Sequence, residues 1–173
     1  QKQGVQFPIH FDYIVSQVDN SMVQQASSFK QSVESALGAD NVVVDLQKVS
    51  DDDLQNITYF SDTAAARDYD ISGGGWAPDY QDPSTYLESI SPVNGSVSYY
   101  FGIDAGTNNP AIAAVGLDQY ANMLKDADAE LLDQAKRYEK YAAAQAWLTD
   151  SAITLPTVSN GGSPMLQRTV PYS

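Results

Sequence analysis

The amino-acid sequence predicts an α/β fold, a mostly parallel sheet flanked by helices. Hydrophobic periodicity carries that reading. Apolar residues alternate at Phe7, Ile9, Phe11, Tyr13 and Val15, recur at helical spacing from Met22, and alternate again from Val42. Strand, helix and strand within about 40 residues form a βαβ unit, which implies a parallel pair joined by a right-handed crossover. An apolar content of 43% over 173 residues supplies a core for one domain and rules out disorder.

Each element has a local justification. Residues 7–15 alternate with period two and read as a strand with one buried face. Asp19-Asn20-Ser21 offers a helix cap, and Met22, Ala26, Phe29, Val33 and Ala36 form one helical stripe. Gly38 stands where a glycine ends a helix. Residues 42–49 form the second strand, with Val42, Val44 and Leu46 on one face. Ser50 caps a helix reaching about Tyr59, and Asp51, Asp52 and Asp53 in its first turn complement the helix dipole. Residues 69–72 read as a third parallel strand that ends in Gly73-Gly74-Gly75.

Residues 76–100 read as loop with a short helix over about 83–87, and residues 103–116 as loop with a turn at Asn109-Pro110. Leu117, Tyr120, Ala121 and Leu124 mark a helix. Leu131, Ala135, Tyr138, Ala142 and Ala146 mark the stripe of a longer one over about 128–149. Residues 153–156 read as a late, short strand whose proline argues for an edge or a strand end, and residues 161–164 as loop. No internal repeat or linker interrupts the chain, so residues 1–173 read as a single domain.

Composition narrows the function classes. Nine Lys and Arg against 22 Asp and Glu leave a formal charge of −13, a surface that repels phosphate backbones and anionic headgroups. Nucleic acid is therefore not an expected partner. The absence of cysteine excludes a disulfide scaffold, a thiolate metal site and a cysteine nucleophile. No apolar run approaches the roughly 18 residues of a membrane span. Gln1-Lys2-Gln3-Gly4 leads straight into a strand pattern rather than a signal peptide, and the chain reads as an excised domain.

Enzyme signatures are weak. Triad chemistry needs a His base, and the single His10 lies on the alternate face of the first strand, where a surface role is expected. No Gly-x-Ser-x-Gly elbow is present, and zinc ligands are lacking. Asp51-Asp52-Asp53 lacks the loop pattern of a calcium site, so capping is its expected role. Gly73-Gly74-Gly75 follows a strand, where a phosphate loop would sit, yet Trp76 follows instead of Gly-Lys-Ser/Thr. Those glycines are expected to let backbone pass close to another segment or a ligand. Asp79 and Asp82, near Trp76 and Tyr80, leave open a carboxylate pair of glycosidase type.

The stretch 76–87, Trp-Ala-Pro-Asp-Tyr-Gln-Asp-Pro-Ser-Thr-Tyr-Leu, is the most informative. It falls at the carboxyl end of the third strand, where open α/β sheets place ligands. Gly75-Trp76, Asp79-Tyr80 and Asp82-Pro83 resemble the Gly-Trp, acid-aromatic and Asp-Pro pattern of oligopeptide-binding proteins, the extracytoplasmic solute-binding components of peptide ABC transporters. Arg137-Tyr138, the small-residue run Ala144-Gln145-Ala146, Leu148 and then Leu155-Pro156 are similar to a helix and strand of the same family.

The resemblance covers roughly residues 7–156. It implies a periplasmic-binding-protein-like (type II) lobe, the C-terminal lobe of a bilobed protein whose first lobe is absent from this chain. It also implies a non-catalytic function: binding oligopeptides for delivery to a membrane ABC permease, with no cofactor or metal. The expected location is the extracellular face of a bacterial cell membrane, lipid-anchored in the full-length protein, or the periplasm. Asp79 matches the acid that pairs with the peptide's N-terminal ammonium in some members. Gly75, Trp76 and Ala77 would offer backbone groups and an aromatic wall, and Tyr80 core or cleft surface. Asp82-Pro83 is expected to end the loop and start the short helix, with Arg137 in a surface pair and Tyr138 a core aromatic. Tyr99-Tyr100-Phe101 reads as packing under the long loop or as lining of the cleft. The alternatives are another solute on the same scaffold (a sugar, a dipeptide or a metal chelate), a carboxylate-based glycoside hydrolase fragment, and a structural or adhesive surface domain.

Overall fold

Three parallel strands form the sheet, in the order β2-β1-β3. A computed structural model describes residues 4–61, 63–104, 106 and 110–157, the Ala64 side chain excepted. The central strand β1 (Ile9–Ser16) pairs along its whole length with β2 (Val42–Val49), from Ile9 opposite Val42 to Ser16 opposite Val49. At its carboxyl end it pairs with β3 (Ile71–Ser72), Tyr13 facing Ile71 and Ile14 facing Ser72. Helix α1 (Asn20–Leu37) makes the crossover between β1 and β2 and packs on both, while α2 (Asp51–Thr58) packs on β1.

Local chemistry fixes these boundaries. The Asp19 carboxylate accepts the Ser21 and Met22 backbone N–H groups at 2.8 and 3.0 Å, satisfying donors that the first turn of α1 leaves unpaired. Gly38, at φ 83°, ends that helix in a conformation that costs glycine nothing. The Ser50 hydroxyl accepts the Asp53 N–H at 3.1 Å, with Asp51, Asp52 and Asp53 in the first turn of α2 as expected for a dipole-complemented start. On the open side of the edge strand β2, Lys30 donates to the Val44 carbonyl at 2.5 Å and Glu34 accepts the Val44 N–H at 3.0 Å. An α1 ion pair thus occupies edge groups that would otherwise invite another strand.

The first strand departs from the simple one-face pattern. Phe7 and Phe11 stay exposed, whereas the consecutive residues Ile14, Val15 and Ser16 are all buried. Burial in β1 is concentrated at its carboxyl end, whereas in β2, against α1, it falls on Val42 and Val44 at the amino end. Ala36, the last member of the predicted α1 stripe, is likewise exposed. His10 is exposed, its Nδ1 2.6 Å from Asp45, in keeping with the surface role.

Beyond β3 the chain is helical and builds a second group of buried side chains. It comprises α3 (Ser84–Leu87), single 3₁₀ turns at Glu88–Ile90 and Ser98–Phe101, α4 (Pro110–Ala114), α5 (Leu117–Asp128) and α6 (Gln134–Asp150). Leu87, Ile103, Leu117, Tyr120, Leu124, Ala127, Tyr141, Ala144 and Leu148 form this core, with the Trp147 and Tyr120 rings stacked at 5.9 Å. No described helix is long and apolar enough to cross a membrane.

Four sequence expectations are corrected here. Part of the predicted loop 103–116 is helical, because Pro110 opens α4 from the position where its missing N–H costs nothing. The predicted helix 128–149 is broken: α5 runs on to Asp128, and a new cap at Asp133, which accepts the Lys136 N–H at 3.0 Å, starts α6. The buried side of α6 is Tyr141, Ala144 and Leu148, while Leu131, Ala135, Tyr138, Ala142 and Ala146 face outward. Residues 153–156 form no strand, since Ile153 packs against the helical core instead of joining the sheet. Of the remaining expectations, the loop 161–164 lies outside the described residues.

Candidate functional site

The loop that leaves β3 starts tightly packed and opens outward. A side chain at Gly73 would meet the end of Met22 at 3.2 Å, and one at Gly74 would meet the Tyr100 ring at 3.7 Å, whereas Gly75 faces open space. The three glycines therefore do two things: the first two admit neighbouring side chains, and the third begins the exposed stretch. Gly75, Trp76, Ala77, Asp79 and Tyr80 are all exposed, and all lie on this one loop at the carboxyl end of the parallel sheet.

The short helix α3 anchors the loop. The Trp76 indole N–H donates to the Thr85 carbonyl at 2.7 Å, and the Asp79 backbone N–H donates to the Thr85 hydroxyl at 3.2 Å. The Tyr80 hydroxyl lies 3.2 Å from the Ser84 hydroxyl, so Tyr80 leans on α3 while more than half of its surface stays in solvent. Ser84, Thr85 and Leu87 are buried, and the buried Tyr120 donates its hydroxyl to the Leu87 carbonyl at 2.7 Å. Loop, α3 and helical core are thus one continuous chain of contacts.

The two loop carboxylates have different surroundings. Asp82 is half-buried: it accepts Arg137 Nη1 at 2.6 Å and Nη2 at 3.0 Å, and it accepts the Ser84 N–H at 3.0 Å. The Arg137 guanidinium holds the Asp82 carboxyl well below the usual carboxylate range, against the opposing effect of burial, and the pair raises the Arg137 pKa in turn. Asp79 points its carboxylate into solvent, with no hydrogen-bond or ion-pair partner among the described residues.

Arg137 continues the network inward. Its Nη2 donates to the Tyr141 hydroxyl at 3.1 Å, its guanidinium lies 4.8 Å from the Tyr141 ring centroid, and Tyr141 donates to Asp128 at the end of α5. Glu88 faces the same group, and burial, helped by the Asp128 charge, pushes its carboxyl up. This corrects two expectations. Arg137 is no surface pair but a half-buried fork on the loop, and Tyr138 is exposed while Tyr141 is the core aromatic of this helix. The helical spacing of small residues on both sides of α6 hid the distinction.

The sequence did not single out Thr85 and Ser84, which hold the loop, although their place just after Asp82-Pro83 marks them as first-turn residues. The tyrosine cluster lies on the other side of the glycines. Tyr99 packs edge-on against Tyr59 at 5.0 Å and beside Tyr100 at 4.5 Å, and Tyr69 donates to the Tyr100 carbonyl at 3.2 Å. Beneath Tyr99 the buried Arg67 donates to the Thr58 and Ser61 carbonyls and to Asp104. The cluster packs, and its Tyr100 ring borders the loop at Gly74.

This geometry is an open, acid-bearing loop beside an indole at the carboxyl end of a parallel sheet. The chain is 51% identical over all of its length to the oligopeptide-binding protein AliB of Streptococcus pneumoniae. Its whole length resembles a segment of oligopeptide-binding proteins. It is 52% identical to SarA of Streptococcus gordonii and 47% identical to AmiA of Streptococcus pneumoniae, both also oligopeptide-binding proteins and both matched over the entire chain. The chain spans about a quarter of the length of these relatives, 26% for AliB. Among solved structures, a peptide-binding pheromone receptor, PrgZ, matches 83% of this chain and 22% of its own, with a TM-score of 0.55 at 17% identity. At that identity the match speaks for the fold alone, an α/β parallel sheet flanked by helices. No family model matches the chain.

Proposed function

We propose that this chain is a lobe of an extracytoplasmic oligopeptide-binding protein, and that its 73–82 loop holds the amino-terminal end of the peptide. The observation that carries the reading is the Asp79 carboxylate, exposed and without a partner among the described residues, on a loop that α3 holds through Trp76, the Asp79 N–H and Tyr80. A peptide ammonium is the partner such a carboxylate suits, and pairing strengthens when a cleft closes and removes water. Trp76 supplies a flat apolar wall beside it, and Gly75 and Ala77 supply main-chain groups that take any sequence.

In this reading the chain is the C-terminal lobe, residues 1–173, and the ligand lies between it and a first lobe elsewhere in the polypeptide. Hinge closure of the two lobes traps the peptide. The protein delivers its ligand to a membrane ABC permease from the outer face of the cell membrane, where a lipid anchor holds it, and it performs no catalysis. The glycosidase alternative finds no support at Asp79 and Asp82. A general acid needs a carboxyl with a raised pKa, and Arg137 drives that of Asp82 the other way.

The test is a titration of the full-length protein with short peptides in two forms, free-amine and N-acetylated. Asp79→Asn weakens the free-amine peptide by roughly tenfold or more, the scale of one charge-assisted hydrogen bond, and changes the acetylated one little. Equal losses for both forms remove Asp79 from amine recognition. Failure of the wild-type protein to bind any peptide removes the function.

A further inference from the structure

The peptide reading makes no use of the strongest ion pair near the loop, and that pair is long-range: Asp82 and Arg137 stand 55 residues apart. Both ends are committed. Asp82 takes the two-pronged guanidinium and the Ser84 N–H, while Arg137 is fixed from behind by the Tyr141 hydroxyl and ring. Tyr141 is itself buried and bonded to Asp128, so the fork has little freedom to swing. On the loop side, the residues that follow Asp82 carry every anchor of the exposed stretch. Thr85 holds Trp76 and Asp79, and Ser84 holds Tyr80.

We infer that Arg137 is a positioning residue for the ligand loop: through Asp82 it sets where α3 sits on the α5–α6 pair, and through Ser84 and Thr85 it sets Trp76, Asp79 and Tyr80. The inference rests on the peptide reading for its functional consequence and on contacts alone for its geometry. Only Pro83 and Ser84 lie between Asp82 and Thr85, and α3 begins at Ser84, so a shift at Asp82 reaches Thr85 without any flexible segment between. A bidentate pair fixes direction as well as distance, which a single ammonium does not. Arg137 touches no ligand atom in this scheme. Its role is to keep the Asp79 carboxylate and the Trp76 indole in one register.

The experiment uses the full-length protein, ligand-free and then with a free-amine peptide, and reads the Trp76 indole N–H resonance, assigned by Trp76→Phe. That proton is bonded to Thr85, so it reports the loop's seat on α3. Arg137→Gln and Asp82→Asn each shift the resonance to a similar degree, the double variant shifts it no further, and each lowers peptide affinity about tenfold, as expected for one lost charge-assisted pair. Arg137→Lys, with a single contact in place of two, falls between wild type and Arg137→Gln, and it replaces the glutamine variant if that one fails to fold.

A Trp76 signal that stays in place in a folded variant overturns the inference, as does a signal that moves while peptide affinity holds. Additive shifts in the double variant also overturn it, because they place the two residues on separate routes. If the wild-type protein binds no peptide, the peptide reading falls alone. The ligand-free Trp76 resonance then still decides whether Arg137 sets the loop.

Discussion

Removing one hydroxyl tests whether α3 is held by the helical core. Tyr120 is fully buried, its ring stacks on Trp147, and its hydroxyl donates to the Leu87 carbonyl at 2.7 Å. Tyr120→Phe keeps the ring and the stack and deletes only the bond between α5 and α3. A neutral buried hydrogen bond contributes about 1–1.5 kcal/mol net, and the Leu87 carbonyl left behind adds to the loss. A cost of ~1.4 kcal/mol corresponds to a tenfold rise in local opening. Hydrogen exchange read by mass spectrometry is the assay, because it resolves segments within a longer protein. Peptides covering α3 and α5 exchange about tenfold faster in the variant, while β1 and β2 keep wild-type rates. Tyr120→Ala, which also removes the packing, costs about 3–5 kcal/mol and accelerates exchange far more. Exchange in α3 and α5 that changes less than twofold in Tyr120→Phe refutes the bond's role in seating α3.

Three other outcomes follow from the same contacts. Asp82 has its folded-state pKa depressed, so its stabilisation is present above the unfolded value of about 3.9 and is lost as pH falls through the lower folded value; the advantage of wild type over Asp82→Asn persists at pH 4–7 and fades in stronger acid, measured by urea unfolding across pH. Glu88 shifts the opposite way, so its contribution is present below its unfolded pKa and lost as pH rises through the folded one; Glu88→Gln therefore unfolds at higher urea than wild type at pH 7 and gains nothing at pH 3. A methyl at Gly95 would meet backbone, the Ser89 carbonyl at 2.5 Å and the Ser91 nitrogen at 2.7 Å, so Gly95→Ala lowers stability by about 1–3 kcal/mol or more, seen as a lower thermal midpoint.

Much of the sheet was legible because its signals are local. Period-two alternation at 42–49, the Asp19 and Ser50 caps and Gly38 all act within a few residues of where they are read, and the parallel pairing follows from the βαβ unit. The helical half was less so. Small and aromatic residues recur on more than one side of α6, and only contact with α5 and α3 selects Tyr141, Ala144 and Leu148 as the buried set. The break before α6 had its signal in Asp133, a good cap, which the apolar spacing through Leu131 masked. The position of the candidate loop was legible from the end of β3 and from Asp82-Pro83. Its support was not, because an ion pair between residues on a loop and a distant helix leaves no periodic trace in sequence.

In the proposed reading, the two loop acids divide support from recognition. Asp79 and Asp82 are chemically identical and three positions apart. Distance from Arg137 decides between them. Asp82 lies within reach and gives both oxygens to the fork and to Ser84, and the guanidinium favours its ionised form, so its charge is already paired. Asp79 gives only its backbone N–H to Thr85, which fixes the position of the residue while leaving the side chain unspent. A loop built the other way, with the arginine on Asp79, would neutralise the charge a ligand ammonium needs and release the segment from α3. In the proposed reading, exchanging the roles therefore removes both.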